Sequence, residues 1–193
     1  MPKYITLLRG VNVGGNNKIG MSELKTAFAD AGFDNILTYI NSGNVLFDSE
    51  IADESAITRR CEEAIEAYFG LKIHVCIIST ADLIEAVNHA PPWWNNDPEF
   101  SHNAAFVLPP STAVEVIAEA GEIKPEYEKR DCFGRVIFWS ARKTAISRTR
   151  WSRIVSFKRA YDRMTVRNAN TTMKLFEMAK QNLQVRWPLL LLI

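Results

Sequence analysis

Histidine and cysteine are scarce in this chain, with three of each among 193 residues. Cys61, Cys76 and Cys132 are odd in number and form no CxxC pair. That favours buried thiols in a reducing cytoplasm over a disulfide framework. His74 and Cys76 stand two apart on a strand, but no third or fourth ligand lies near them, so no zinc site is predicted. Gly14 follows Gly10 at the wrong interval for a dinucleotide fingerprint, and GxxxxGK[ST] does not occur. No apolar run approaches the roughly 20 residues of a membrane-spanning helix. Ile5 to Leu8 is too short for a secretory signal and is broken by Arg9. The reading is a cytoplasmic chain with no metal and no cofactor.

What is present is ordinary for a globular protein: 47% hydrophobic and 23% charged residues. The length allows one large core or two small ones. The net charge of +1 conceals a division. Up to Trp139 there are 11 basic and 20 acidic residues; from Ser140 onwards there are 12 basic and 2 acidic. Such asymmetry points to an anionic partner, or to a basic segment packed across an acidic body.

The most informative stretch is Leu7-Leu8-Arg9-Gly10-Val11-Asn12-Val13-Gly14-Gly15-Asn16-Asn17-Lys18. It leaves a buried-strand pattern, Tyr4 to Leu8, and ends before a helical pattern at Ser22 to Ala31. Glycine lets the backbone turn its N–H groups towards one point, and asparagine accepts left-handed geometry while adding donors and acceptors. Such a turn can cradle an anion.

The remaining order follows from periodicity. Ile36 to Ile40 and Val45 to Phe47 flank the hairpin turn Asn41-Ser42-Gly43-Asn44. Ser55 to Phe69 is a helix ending at Gly70, and Lys72 to Ile78 a strand. Thr80 caps a linking helix, Ala81 to Asn88. Pro91 to Pro98 is a loop whose tryptophans are expected to pack into a core. The pattern then repeats: strand Asn103 to Leu108, and helix Ser111 to Ala120 with Val114, Ile117 and Ala118 on one side. A hairpin, Tyr127 to Cys132 and Arg135 to Trp139, follows, then a basic amphipathic helix Arg150 to Tyr161 and a short strand Met164 to Val166. Thr171 to Gln181 is a final helix, capped by Asn168 or Asn170. The fold class is α+β: two ferredoxin-like (βαββαβ) units in tandem plus a C-terminal helix. The units are assigned to residues 1–79 and 80–193. The apolar tail, Trp187 to Ile193, is expected to pack on the body or against a second copy in a homodimer.

In a βαββαβ sheet the first two strands run the same way, with the third between them and antiparallel to both. The end of the first strand therefore lies beside the turn joining the second and third. This topology brings Arg9, Gly10, Asn12, Gly14, Gly15, Asn17 and Lys18 to one edge with Asn41, Ser42, Gly43 and Asn44. Backbone N–H groups, amides and a guanidinium suit phosphate or carboxylate. Amides do not titrate, so no catalytic residue is assigned. The basic segment, Arg142 to Arg167, is the second candidate surface, with Trp139 and Trp151 interleaved as in single-strand binders. Arg167 precedes a helix start, and with Asn168 and Asn170 completes the candidate ligand set. The favoured function is non-catalytic binding of a phosphate-bearing ligand, nucleic acid or a nucleotide. The alternative is an enzyme acting on a small phosphorylated or carboxylated metabolite, with the turns as its anion cradle.

These motifs resemble a known family. Leu7 to Gly15, Met21, Leu24 and Thr38-Tyr39-Ile40-Asn41-Ser42-Gly43-Asn44-Val45 look like the signature of the domain of unknown function 1697. Arg167-Asn168-Ala169-Asn170-Thr171-Thr172 with Lys174-Leu175 resembles its closing motif. Asn41 stands where glutamine is usual, Gly20 where proline is common, and Ala169 where tryptophan is expected. The resemblance implies a bacterial-type cytosolic α+β protein of two ferredoxin-like halves, and no established activity, substrate or cofactor.

Overall fold

Continuous apolar runs such as Val75–Ile78 suit strands buried on both faces, and the structure uses them so. A computed structural model describes residues 1–14 and 17–184. The first unit runs β1 (Lys3–Leu8), α1 (Met21–Asp30), β2 (Asp34–Tyr39), β3 (Asn44–Asp48), α2 (Glu54–Phe69) and β4 (Val75–Ser79). The linking helix α3 (Thr80–Asn88) leads to β5 (Phe100–Val107), α4 (Ala113–Ala120), β6 (Glu128–Phe133) and β7 (Val136–Arg142). Two 3-10 stretches, Lys143–Arg148 and Trp151–Ser156, precede α5 (Lys158–Asp162), β8 (Met164–Asn168) and α6 (Ala169–Gln184). The sheets have the orders β2-β3-β1-β4 and β6-β7-β5-β8, and every pairing is antiparallel. Each is a ferredoxin-like sheet, and the α+β class with a C-terminal helix holds.

Alternate residues of the central strands serve different cores. Tyr4, Leu8, Val45, Phe47, Val75 and Ile77 pack with α1 and α2. Ala105, Val107, Ile137 and Trp139 pack with α4 and α5. The intervening side chains, among them Ile5, Leu7, Cys76, Phe106 and Phe138, meet Leu83 of α3 and Leu175 of α6 in a third core shared by both sheets. Trp94 belongs to this shared core: it lies edge-on to Phe138 and donates its indole N–H to the Asn103 carbonyl at 2.9 Å. Packing is thus the role of this tryptophan, as expected.

Several boundaries and faces differ from the periodicity. Ser79, not Thr80, caps α3, accepting the Asp82 N–H at 3.0 Å. Strand β4 starts at Val75 rather than Lys72. Helix α4 buries Ala113, Val116 and Ala120, while Val114 is 72% exposed. The capping box of Thr112 and Glu115 starts this helix and fixes its rotation. The single basic helix expected from Arg150 to Tyr161 is broken at Phe157 (φ −85°, ψ 66°) into a 3-10 stretch and α5. The apolar tail from Trp187 lies outside the described residues. Among those residues, no helix is long and apolar enough to cross a membrane.

Burial pushes the thiols of Cys61 and Cys76 up to about 12, while half-buried Cys132 is raised for the same reason. A thiol reagent at pH 8 is therefore expected to modify Cys132 in the folded chain, and Cys61 and Cys76 only after unfolding. Mass spectrometry of labelled peptides reads this directly; rapid native labelling of Cys76 would contradict it. Because the folded thiols keep protons that the unfolded chain loses above its ordinary value of 9.0, stability falls as pH rises from there towards 12.

Candidate functional site

The loop after β1 owes its shape to residues that accept left-handed backbone: Gly10 (φ 66°), Asn12 (φ 55°), Gly14 (φ 60°) and Asn17 (φ 48°). Asn12 closes it. Its carbonyl oxygen accepts the Ile19 N–H at 3.0 Å, and its amide donates to the Ile19 carbonyl at 3.0 Å. The same amide reaches across to the Asn41 carbonyl at 2.7 Å. Asn17 donates to the Gly10 carbonyl at 3.1 Å, and Leu8 N–H to the Gly43 carbonyl at 2.8 Å. The early loop and the later hairpin turn therefore meet, as the strand order requires.

Contact is close because residue 43 has no side chain. A Cβ on Gly43 (φ 71°) would stand 2.7 Å from both Leu8 Cβ and Val11 Cγ2. Beside it, buried Asn44 donates to the Tyr39 carbonyl and to Ser42 Oγ, each at 2.9 Å. Its own carbonyl oxygen accepts Arg167 Nε at 2.6 Å.

Arg167 faces inwards, where the sequence reading had it facing a ligand. It projects from β8 into the first unit and is buried. One terminal nitrogen donates to the carbonyls of Leu8 (2.8 Å), Ser42 (2.9 Å) and Gly43 (3.2 Å). The other donates to Thr165 Oγ1 at 3.1 Å and the Val166 carbonyl at 2.9 Å. All five N–H groups have acceptors inside the protein, so none is left for a ligand. Burial lowers the guanidinium to about 10, which leaves it charged at neutral pH. Arg167 therefore clamps the second unit to the edge formed by the two turns.

The other predicted residues divide by what holds them. Arg9 forms an ion pair with Asp162 at 2.8 Å and lies 5.0 Å from the centre of the Tyr161 ring, tying the glycine loop to α5. Asn168 caps α6 by accepting the Thr171 N–H at 2.8 Å. Gly10, Gly14, Asn17, Lys18, Asn41 and Asn170 are exposed, and Ser42 is half-buried. Gly15 lies outside the described residues. The edge is real, but Asn12, Asn44 and Arg167 spend their donors on building it.

The basic segment is arranged by one buried carboxylate. Glu128 accepts from Trp139 Nε1 at 2.9 Å, from the Trp151 N–H at 3.1 Å, and from the Arg150 N–H. These bonds draw the start of the second 3-10 stretch onto the sheet. Two cations are neutralised across the body, Arg142 by Glu99 (2.7 Å) and Arg163 by Glu119 (3.1 Å), while half-buried Arg150 donates to the Glu122 backbone carbonyl (3.2 Å). Lys143, Arg148, Arg153, Lys158 and Arg159 remain exposed, and no ion pair joins them among the described residues. Arg148 rests over Tyr127 at 5.7 Å from its ring centre. Trp139 is buried and Trp151 packs against it, so neither forms the open stacking surface that the sequence suggested.

A hollow of about 480 Å³ opens between the tryptophan loop, the start of β5 and the β8–α6 junction. Asn95, His102 and Lys143 line it together with Asn168 and Asn170. Of these, Lys143, Asn168 and Asn170 belong to the surfaces expected from the sequence, whereas Asn95 and His102 do not. Their only signals were the Asn95-Asn96 pair beside the tryptophans and the place of His102 just beyond them.

The fold and the clamp define a two-unit α+β protein whose halves share one core. The chain belongs to the family described as "Protein of unknown function (DUF1697)", whose match covers residues 1–138. No curated protein matches it. Among solved structures it is similar to the conserved bacterial protein SP0830 from Streptococcus pneumoniae. That similarity has a TM-score of 0.80 and 28% identity, and covers 92% of this chain and 98% of the other.

Proposed function

We propose that this protein binds a phosphate-bearing ligand, single-stranded nucleic acid foremost, through the exposed basic segment that follows β7 and runs into α5, without catalysing a reaction on it. The observation that carries this reading is the set of five cations left over after internal pairing. No acidic residue occurs between Asp131 and Asp162, so nothing within the segment offsets them. Single strands bind such surfaces chiefly through phosphate contacts, with aromatic or guanidinium planes adding stacking. Arg148 over Tyr127 offers such a plane. The Arg9–Asp162 pair holds the glycine loop against α5. A strand following Lys158 and Arg159 thus continues towards Lys18 and Asn41, the exposed donors of the two-turn edge.

Fluorescence anisotropy with labelled single-stranded RNA and DNA at two salt concentrations tests the proposal. Binding is expected to weaken steeply with salt. Replacing Arg148, Arg153 and Arg159 together by glutamine is expected to reduce the log–log salt slope by about 0.7 per lost phosphate contact. Absence of binding at low salt, or an unchanged slope in the variant, would overturn it.

A further inference from the structure

We infer that the hollow beside α6 seats one nucleobase of the bound ligand, an inference that deepens the reading above and rests on it. Its size lies within the range of about 300 to 1,000 Å³ usual for small-molecule sites, enough for a nucleotide. Its lining has the composition that a base requires. Pro98, Phe100 and Ala169 offer apolar surface. Asn95 and Asn170 offer amides, which carry a donor and an acceptor side by side and match the edges of bases. Among the described residues neither amide side chain makes a hydrogen bond, and neither does the Lys143 ammonium. These groups stand apart from the amides of Asn12, Asn17 and Asn44 at the two-turn edge, which the protein has already used.

The rest of the lining is committed, and that gives the hollow a fixed shape. His102 Nε2 lies 2.7 Å from the Asp97 carbonyl and so donates to it, while Nδ1 lies 2.6 Å from Ser140 Oγ and accepts. This imidazole pins the tryptophan loop to the sheet. The Asp97 carboxylate, the one acid in the lining, accepts the Glu99 N–H at 3.0 Å. Lys143 lines the hollow and is also the first of the five exposed cations of the basic segment. A base inside therefore has its phosphate beside Lys143, where the backbone track begins.

Calorimetric titration of the full chain with the four nucleoside 5′-monophosphates and with inorganic phosphate tests this. At least one nucleotide is expected to bind tenfold or more tightly than phosphate. Asn170→Asp, at an exposed position where a carboxylate favours a helix start, is expected to weaken that nucleotide at least tenfold, and Asn95→Asp likewise. Equal binding of phosphate and all nucleotides, or no effect of either substitution, overturns the inference. The two readings fail separately. If an abasic strand binds as tightly as a natural one and no mononucleotide binds, the hollow is refuted and the basic track stands. If a mononucleotide binds but no oligonucleotide does, the track is refuted and the hollow stands as a mononucleotide site.

Discussion

Arg167→Met is expected to lower stability by about 3 to 5 kcal/mol, since it strands several buried acceptors at once and each costs about 1 to 3 kcal/mol when left unpaired. Methionine preserves most of the volume but none of the donors. The carbonyls of Leu8, Ser42 and Gly43 and the Asn44 side-chain oxygen would all lose a partner away from water. For a chain of this size the loss corresponds to a fall in Tm of roughly 6 to 20 °C. Arg167→Lys is expected to recover little of it, because an ammonium cannot reproduce the planar fork that reaches six acceptors. A double-mutant cycle with Asn44→Ala should give a coupling of about 0.5 to 3 kcal/mol. Thermal and denaturant unfolding measure both. A Tm within two or three degrees (~1 kcal/mol) of the parent would show that the clamp contributes little.

The second large effect is expected at Gly43. Alanine there meets two penalties: about 1 to 2 kcal/mol for a Cβ in left-handed backbone, and about 1 to 3 kcal/mol for crowding. The crowding is specific, since the new Cβ would fall 2.7 Å from Leu8 Cβ and Val11 Cγ2. Gly10 provides the control. It has a similar φ of 66°, but a Cβ there meets nothing within 4 Å. Gly10→Ala should therefore cost only the backbone part. Equal losses at the two positions in denaturant unfolding would mean that close approach of the turns is not what residue 43 provides.

Much of the edge was legible because it depends on strand order, and strand order follows from alternating patterns and turn residues. Asn41 to Asn44 had to face Gly10 to Asn12 once β3 paired with both β1 and β2. The direction of Arg167 was not legible. An arginine before a helix cap looks the same in sequence whether it reaches outwards to a phosphate or inwards to carbonyls on another sheet. The break at Phe157 was hidden for a related reason. Trp151, Ile154, Val155 and Phe157 mimic a helical stripe, yet Val155 is 64% exposed. Glu128, more than twenty residues upstream, captures the N–H groups of Arg150 and Trp151. A periodic pattern records apolar spacing and does not register a distant carboxylate.

By itself the sequence determined the two βαββαβ units, the buried runs of their central strands and the encounter of the two asparagine-rich turns. These rest on local periodicity and on turn chemistry, which neighbouring residues settle among themselves. Only the tertiary structure decided which polar groups are spent and which are free. Arg142, Arg163 and Arg167 find partners 43, 44 and 123 residues away, while Lys143, Arg153 and Lys158 find none among the described residues. Charge is written in the chain, but its neutralisation depends on distances in space, and those exist only once the two sheets have closed on their common core.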